Sequence, residues 1–491
     1  MAAAEVYREL GEAAWAWTLG QVREDGGPWL PEVIPDDAPQ AGPDEDRDSL
    51  YSGIAGLAPV LAEIRQYRTL SGAEQALAAG IVTRLSAMAR SRAEPSLYIG
   101  LGGDVTGLKL LAPGHEQVAV RRLASLMTPA GWPSTLGVGP AAGAPLTDVV
   151  LGTAGVVLAV VWAGGEHTPE MAAAGGESLL RAADRTPDGL DWGMWPGAPA
   201  RMPNFSHGTA GVATALAVAG VALGRDDFIT AARQGAEHLV AVGSLDGGGF
   251  VIPHTLPHTS RPVEPVTYTW CHGPAGTSQL FAALAQAGVG TVSGHEVTAL
   301  RQRCLRAILA AGVPQRLRPG FWDNDGRCCG TAGVGDIMLD AAQDAAAPVP
   351  GAGRTPGNSG VGPARLGPGD APGEPGGPGL GPERPGSDPG RPAGSPLLAA
   401  ARTMGDALVD RAIQDEAGAR WRFVEHRQEP PLLPPNTSWM QGAAGIAAFL
   451  LRLARVMSDG LGAPVVDRPD QWWAVPARLR TVRGAVRQPR A

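Results

Sequence analysis

A Gly-x-x-Gly step followed by an apolar run occurs seven times in this chain. The pairs are Gly53/Gly56, Gly100/Gly103, Gly152/Gly155, Gly208/Gly211, Gly273/Gly276, Gly330/Gly333 and Gly442/Gly445. First glycines are 47, 52, 56, 65, 57 and 112 residues apart. The last interval is long because it contains residues 346–396, which are dominated by Gly and Pro, with Ser, Arg and Asp among the rest and almost no large apolar side chain. Such a segment cannot bury enough surface to offset its ordering entropy and reads as a disordered insertion. Removing these roughly 50 residues restores the repeat length, and repeats of this length form stacked or closed arrays.

Each repeat holds two helical patterns. One follows the glycine step: Ala210-Gly-Val-Ala-Thr-Ala-Leu-Ala-Val-Ala-Gly220 is small and apolar on nearly every side. A helix apolar all round is a buried one. The other is amphipathic. Over residues 295–311, Val297, Leu300, Cys304 and Ile308 make one stripe with Arg301, Arg303 and Arg306 off it. Similar stretches occupy 73–91, 116–127, 169–184, 226–242 and 397–413, and a first one, 6–20, precedes all repeats. Seven buried and seven amphipathic helices predict an all-α fold, an α/α toroid of seven inner and seven outer helices. Glycines at the inner-helix starts would let backbones approach closely. The expected organisation is six repeats in 1–345, the Gly/Pro-rich insertion 346–396, a closing seventh repeat in 397–473 and a basic flexible tail, 474–491.

An open solenoid is the rival architecture, and the reactive residues argue against it. The residue before each first glycine is Ser52, Ile99, Leu151, His207, His272, Cys329 and Gln441 in turn. One place earlier, the fifth and sixth repeats carry Cys271 and Cys328, and Asp148 stands four before the third glycine. If all inner helices start at one end of a closed ring, these side chains converge on one mouth. Three thiolates suit tetrahedral zinc with a fourth position open, as a catalytic zinc requires. Helix N-termini lower thiol pKa and favour the ligating form. A Cys328–Cys329 disulfide or inert thiols are the bland alternatives, and His272 is an alternative third ligand. Cys304, on an apolar stripe, reads as structural. His207 suits a general acid or base. Asp148 suits a group that orients or deprotonates substrate, or merely a helix N-cap.

The net charge of −8 gives no reason to expect a nucleic-acid partner. The start of the chain lacks a basic-then-apolar leader, and no apolar run is long enough to span a membrane. The expected setting is the cytoplasm, where four cysteines favour metal ligation over disulfides. Asp323-Asn-Asp-Gly326 begins like a calcium loop, but Val334 stands where the closing Glu belongs.

The chain resembles the lanthionine synthetase C-like proteins, the lantibiotic cyclases. The resemblance rests on Ser49-Leu-Tyr-Ser-Gly-Ile-Ala-Gly56, Ser96-Leu-Tyr-Ile-Gly-Leu-Gly-Gly103, the His-Gly step at His207, Trp270-Cys-His-Gly273 and the Cys-led step at Cys328. It implies an α/α toroid around a zinc ion, and closure of thioether rings in precursor peptides by addition of cysteine thiols to dehydroalanine or dehydrobutyrine. It further implies zinc on Cys271 and Cys328, with Cys329 where the usual ligand is His. His207 would be the acid that protonates the enolate, and Asp148 the acidic residue of the site. Thr267 stands where many stand-alone cyclases have Arg, and His272 replaces a frequent Tyr, which makes His272 a further catalytic candidate. The implied partners are a dehydrated precursor peptide, a separate dehydratase and an export transporter, with membrane association only through such a complex. Two other readings stay open: a non-catalytic zinc-containing protein that binds peptide or glutathione, and a toroidal glycoside hydrolase, which would need a second carboxylate in phase with Asp148.

Overall fold

The computed structural model describes residues 2–35, 46–138, 143–257, 265–315, 324–346, 395–424 and 429–471. The expected basic tail lies wholly outside the described residues, as do Asp323 and all of the expected insertion but its edges.

Fourteen α-helices stand among the described residues, and they alternate between two rings. The outer ring is α1 (Ala2–Gly20), α3 (Gly72–Met88), α5 (Gln117–Leu126), α7 (Thr168–Arg181), α9 (Asp226–Val242), α11 (Val297–Ala310) and α13 (Pro396–Arg411). The inner ring is α2 (Leu57–Ile64), α4 (Leu101–Leu111), α6 (Thr153–Ala163), α8 (Thr209–Leu223), α10 (Pro274–Gln286), α12 (Thr331–Ala346) and α14 (Ala443–Asp459). Each inner helix packs on the next, and α14 packs on α2, so the ring is closed. The amphipathic stretch that precedes all repeats, α1, packs against the last inner helix and completes the outer ring there.

Inner-helix composition follows from position. Every residue of α6 is buried, Val156, Val157, Leu158, Val160 and Val161 included, because neighbours cover it on all sides. Full burial of one such aliphatic side chain stabilises by about 1.5–3 kcal/mol. The outer helices bury one stripe; in α11 it is Val297, Leu300, Cys304, Leu305, Ala307 and Ile308. This helix starts later than the sequence pattern predicts. His295–Glu296 instead pairs with Thr291–Val292 in a two-stranded hairpin. Similar small hairpins at Asp184–Thr186/Gly189–Asp191 and Ile413–Asp415/Gly418–Arg420 follow outer helices α7 and α13. They are too short to carry a strand-period signal.

A second internal repeat went unread in the sequence. The Trp132, Trp192 and Trp421 indoles each donate to a carbonyl near the end of an outer helix, Leu123, Leu179 and Leu408, at 2.7–2.9 Å. Each satisfies one of the orphan acceptors at a helix C-terminus.

The glycine steps have a steric cause. In five repeats a Cβ on the second glycine would sit 1.8–2.0 Å from the carbonyl oxygen six residues earlier: Val149, Phe205, Trp270, Arg327 and Trp439. The chain doubles back against the start of the inner helix, and only glycine fits between.

The lumen below the loops is filled. After α14 the chain turns at the far end, where Leu461 and Ala463 carbonyls accept from Gln343, and re-enters the ring. There Arg327, Arg452 and Arg468 all reach Asp336, at 2.5–2.8 Å. Asp340 accepts from Arg452 at 2.6 Å and also from Gln471. Burial would raise the Asp336 carboxyl, but the three guanidiniums override it and hold Asp336 well below its ordinary range.

Candidate metal centre

Seven loops lead into the seven inner helices, and one residue of each, two before the first glycine, joins a single ring of backbone hydrogen bonds. The N–H of Tyr51 donates to Tyr98, Tyr98 to Val150, Val150 to Ser206, Ser206 to Cys271, Cys271 to Cys328 and Cys328 to Met440; Met440 returns to Tyr51, all at 2.8–3.3 Å. The ring fixes the loops in register. It therefore brings the side chains that precede the glycines to one mouth, although they lie far apart in sequence.

Cys271 and Cys328 are successive members of this ring, and Cys329 follows Cys328. Cys329 Sγ lies 3.4 Å from Cys271 Sγ and 3.4 Å from Cys328 Sγ. All three ligand atoms lie within 4.8 Å of one another, and all three residues are buried. No disulfide joins them; all three are free cysteines. Cys304 is buried in α11, apart from this cluster, with its thiol pushed up by burial.

The thiols act on one another. Burial opposes ionisation of Cys271, but hydrogen bonds from Cys328 and Cys329 outweigh it and hold the Cys271 thiol well below its ordinary range. The Thr269 hydroxyl adds a contact at 3.2 Å. The same hydrogen bonds to Cys271 push Cys328 and Cys329 up. Thus ionisation is favoured at Cys271 and opposed at its two neighbours. Sulfur ligands about 2.3 Å from a tetrahedral metal stand about 3.8 Å apart. The observed spacing is close to that, and the all-thiol donor set is one that zinc favours.

Beside the thiols, His207 Nδ1 bonds Asp148 Oδ2 at 2.5 Å. Asp148 Oδ1 accepts from the Leu151 N–H at 3.0 Å, so Asp148 both caps its loop and holds the imidazole. Burial would lower the His207 pKa, but the Asp148 hydrogen bond and charge prevail and raise it. His207 keeps 23% of its side chain exposed, while that of Asp148 is fully buried. The pair therefore presents one imidazole edge at the mouth, held by a buried carboxylate.

These sequence motifs and this geometry coincide with a family match. The model of the lanthionine synthetase C-like proteins matches residues 44–349. The chain belongs to that family. No curated protein matches it. Among solved structures, a nisin cyclase is similar at 15% identity with a TM-score of 0.45, covering 61% of this chain and 78% of that one.

Two histidines stand beside the thiols of this lanthionine synthetase C-like site. His272, next to Cys271 in the chain, lies outside the three-thiol set, its ring centroid 5.6 Å from that of His207. Burial, together with the charges of His254 and His207 and against that of Cys271, presses His272 down to about 3. The second is His254, which the sequence reading missed; its ring centroid is 4.1 Å from that of His272. It belongs to no glycine step, so the phase argument could not reach it. Thr267, in the place expected for an Arg, is buried and donates to the His272 carbonyl at 3.1 Å. It braces the loop and brings no charge.

Proposed function

We propose that this protein is a zinc-dependent cyclase that joins peptide cysteine thiols to dehydroalanine or dehydrobutyrine, forming lanthionine-type thioether rings. The observation that carries the reading is the juxtaposition of three free, buried thiols with the Asp148–His207 pair at one mouth. Cys271, Cys328 and Cys329 would hold the metal. Bound there, zinc supplies a Lewis acid that lowers the pKa of a substrate thiol far enough for its thiolate to persist at neutral pH.

The residues of the chain account for the rest. The new S–C bond forms at the β-carbon of the alkene, and the π electrons move to the α-carbon and its carbonyl as an enolate. His207, held through Nδ1 by Asp148, has Nε2 left to deliver a proton to the α-carbon. Asp148 keeps Nδ1 protonated and stabilises the imidazolium between turnovers. The closed ring of loops excludes much of the water and holds the reacting groups together. His272 and His254 wall the site beside the thiols. The substrate is a peptide already dehydrated by a separate enzyme.

Metal content of the purified protein tests the reading, beside Cys271→Ala and Cys329→Ala. About one zinc per wild-type chain, lost in both variants, is the expected result for a three-thiolate site. Wild-type protein without zinc defeats the mechanism. Zinc lost only with Cys271→Ala points to His272 or a water in place of Cys329 as ligand.

A further inference from the structure

Between the loops of the third and fourth repeats lies a cavity of about 240 Å³ that the mechanism above does not use. Leu146 and Thr153 line it from the third repeat, Leu179 and Ala182 from the end of α7, and Trp195 and Pro196 from the loop before α8. Thr153 opens α6 and Leu179 lies in the last turn of α7, so the cavity stands at the mouth end of the ring. It reaches the surface, since Pro196 is exposed and Trp195 half-buried.

The walls suit an apolar occupant. Every described lining side chain is aliphatic, indole or hydroxyl. The hydroxyls already have partners within the walls. Thr147 Oγ1 donates to the Gly193 carbonyl at 2.5 Å, Ser178 Oγ donates to the Gly175 carbonyl at 2.8 Å, and Thr153 Oγ1 accepts from the Trp132 N–H at 3.4 Å. An apolar space of roughly 150 Å³ admits a six-carbon ring, and sites that enclose a whole small ligand run to roughly 300–1,000 Å³. This cavity falls between them, the size for one large apolar side chain. Its position ties it to the chemistry. Leu146 and Thr147 run directly into Asp148, and the Thr147 N–H donates to the Met194 carbonyl at 2.9 Å, beside Trp195. The two loops that wall the cavity are thus the two that supply Asp148 and His207, which bond each other.

We propose that this cavity receives one large apolar side chain of the peptide substrate, close in sequence to the alkene that His207 protonates. The proposal rests on the cyclase reading. A contact remote from the reacting atoms is made equally in the ground and transition states, so it lowers KM and leaves kcat unchanged. The cavity therefore selects which peptide segment is presented to His207. The open rim lets the rest of the peptide run on while one side chain stays anchored.

The test uses the full chain as purified and short Gly/Ser peptides that carry one Cys, one dehydroalanine and a single Leu, moved along the peptide in turn. Matched peptides carry Asn in place of Leu. Affinity is read by fluorescence anisotropy on labelled copies with Ala in place of dehydroalanine, and cyclisation by mass spectrometry after thiol capping. One Leu position should bind roughly ten-fold or more tighter than its Asn match, and should lower KM by the same factor at constant kcat. Ala182→Phe fills the cavity from within and should abolish that preference while the Asn peptide behaves as with wild type. Should Ala182→Phe fail to fold, Ala130→Phe, on the exposed rim, blocks the entrance instead. A Leu preference that survives in the folded variant, or no preference in wild type, overturns the inference. A wild-type dimer that Ala182→Phe dissociates also overturns it, and gives the cavity to a second copy of the chain. Peptides bound with the Leu preference but never cyclised overturn the cyclase reading and leave the cavity a peptide site.

Discussion

The mouth and the lumen of this toroid are both built from buried polar side chains, yet they are balanced in opposite ways. In the lumen Asp336 meets three arginines, and Asp340 meets Arg452 and Gln471. Arg455 pairs with Glu63 at 2.6 Å. At the mouth three thiols crowd together, and Asp148 meets an imidazole and one backbone N–H but no guanidinium. Buried charge costs several kcal/mol unless it is paired. The lumen meets that cost with its own residues, as a structural core does. The mouth leaves room for charge to come from outside, as a site does. The two layers adjoin: on neighbouring loops of the same ring Tyr98 bonds Asp470 of the lumen and Tyr51 bonds Gln441 of the mouth.

If that contrast is right, mutations in the two layers should separate activity from stability. The largest effect is expected from His207→Ala. It should slow thioether formation roughly 10²–10⁴-fold while zinc content stays near wild type; the melting temperature should fall, because the buried Asp148 loses its partner. Rate assays with a dehydrated peptide, beside metal analysis, check this. Equal loss of metal would instead make His207 part of the metal shell.

The pH profile sharpens the same point. The His207 pKa is raised above its ordinary value of 6.5 by Asp148. The stability that the Asp148–His207 pair adds is therefore complete below about 6.5 and is lost as pH rises through the raised value. The acid function should fall over that same alkaline limb. Asp148→Asn removes the charge that raises the pKa, so the limb should move to lower pH. A limb that stays in place would assign it to another group.

Asp336→Ala attacks the lumen. It takes from Arg327 its carboxylate partner and leaves Arg452 with Asp340 and Arg468 with Asp470, and it should cost about 3–5 kcal/mol, read by denaturant unfolding. Activity per folded molecule should survive. Gly276→Ala attacks the joint between the layers, where a Cβ would stand 1.9 Å from the Trp270 carbonyl oxygen. Overpacking there should cost about 1–3 kcal/mol and, because Trp270 adjoins Cys271, weaken zinc binding too. The smallest change is expected from Cys304→Ala: about 1 kcal/mol of stability and no change in zinc. A zinc deficit in that variant would break the separation of structural from site thiols.

The sequence determined a good deal unaided. Glycine spacing and all-round apolar helices specified an α/α ring, because each inner helix must be covered on every side and only glycine admits the returning loop. Phase alone brought Cys271, Cys328, Cys329, His207 and Asp148 to one place, since residues at equal offsets from equivalent helices occupy equivalent positions. What phase could not supply depended on partners distant in the chain. His254 reaches the site from a segment outside any repeat step. Asp148 is at once cap and imidazole partner, which needed both loops in space. The filled lumen depends on Arg468, Asp470 and Gln471 returning through the ring after the last helix. Tyr51 and Tyr98 look alike in sequence, and only their hydroxyl partners, Gln441 for one and Asp470 for the other, set them apart. Local pattern is set by helix periodicity and sterics, which are short-range. Which polar group meets which is set by the closure of the ring, which is not.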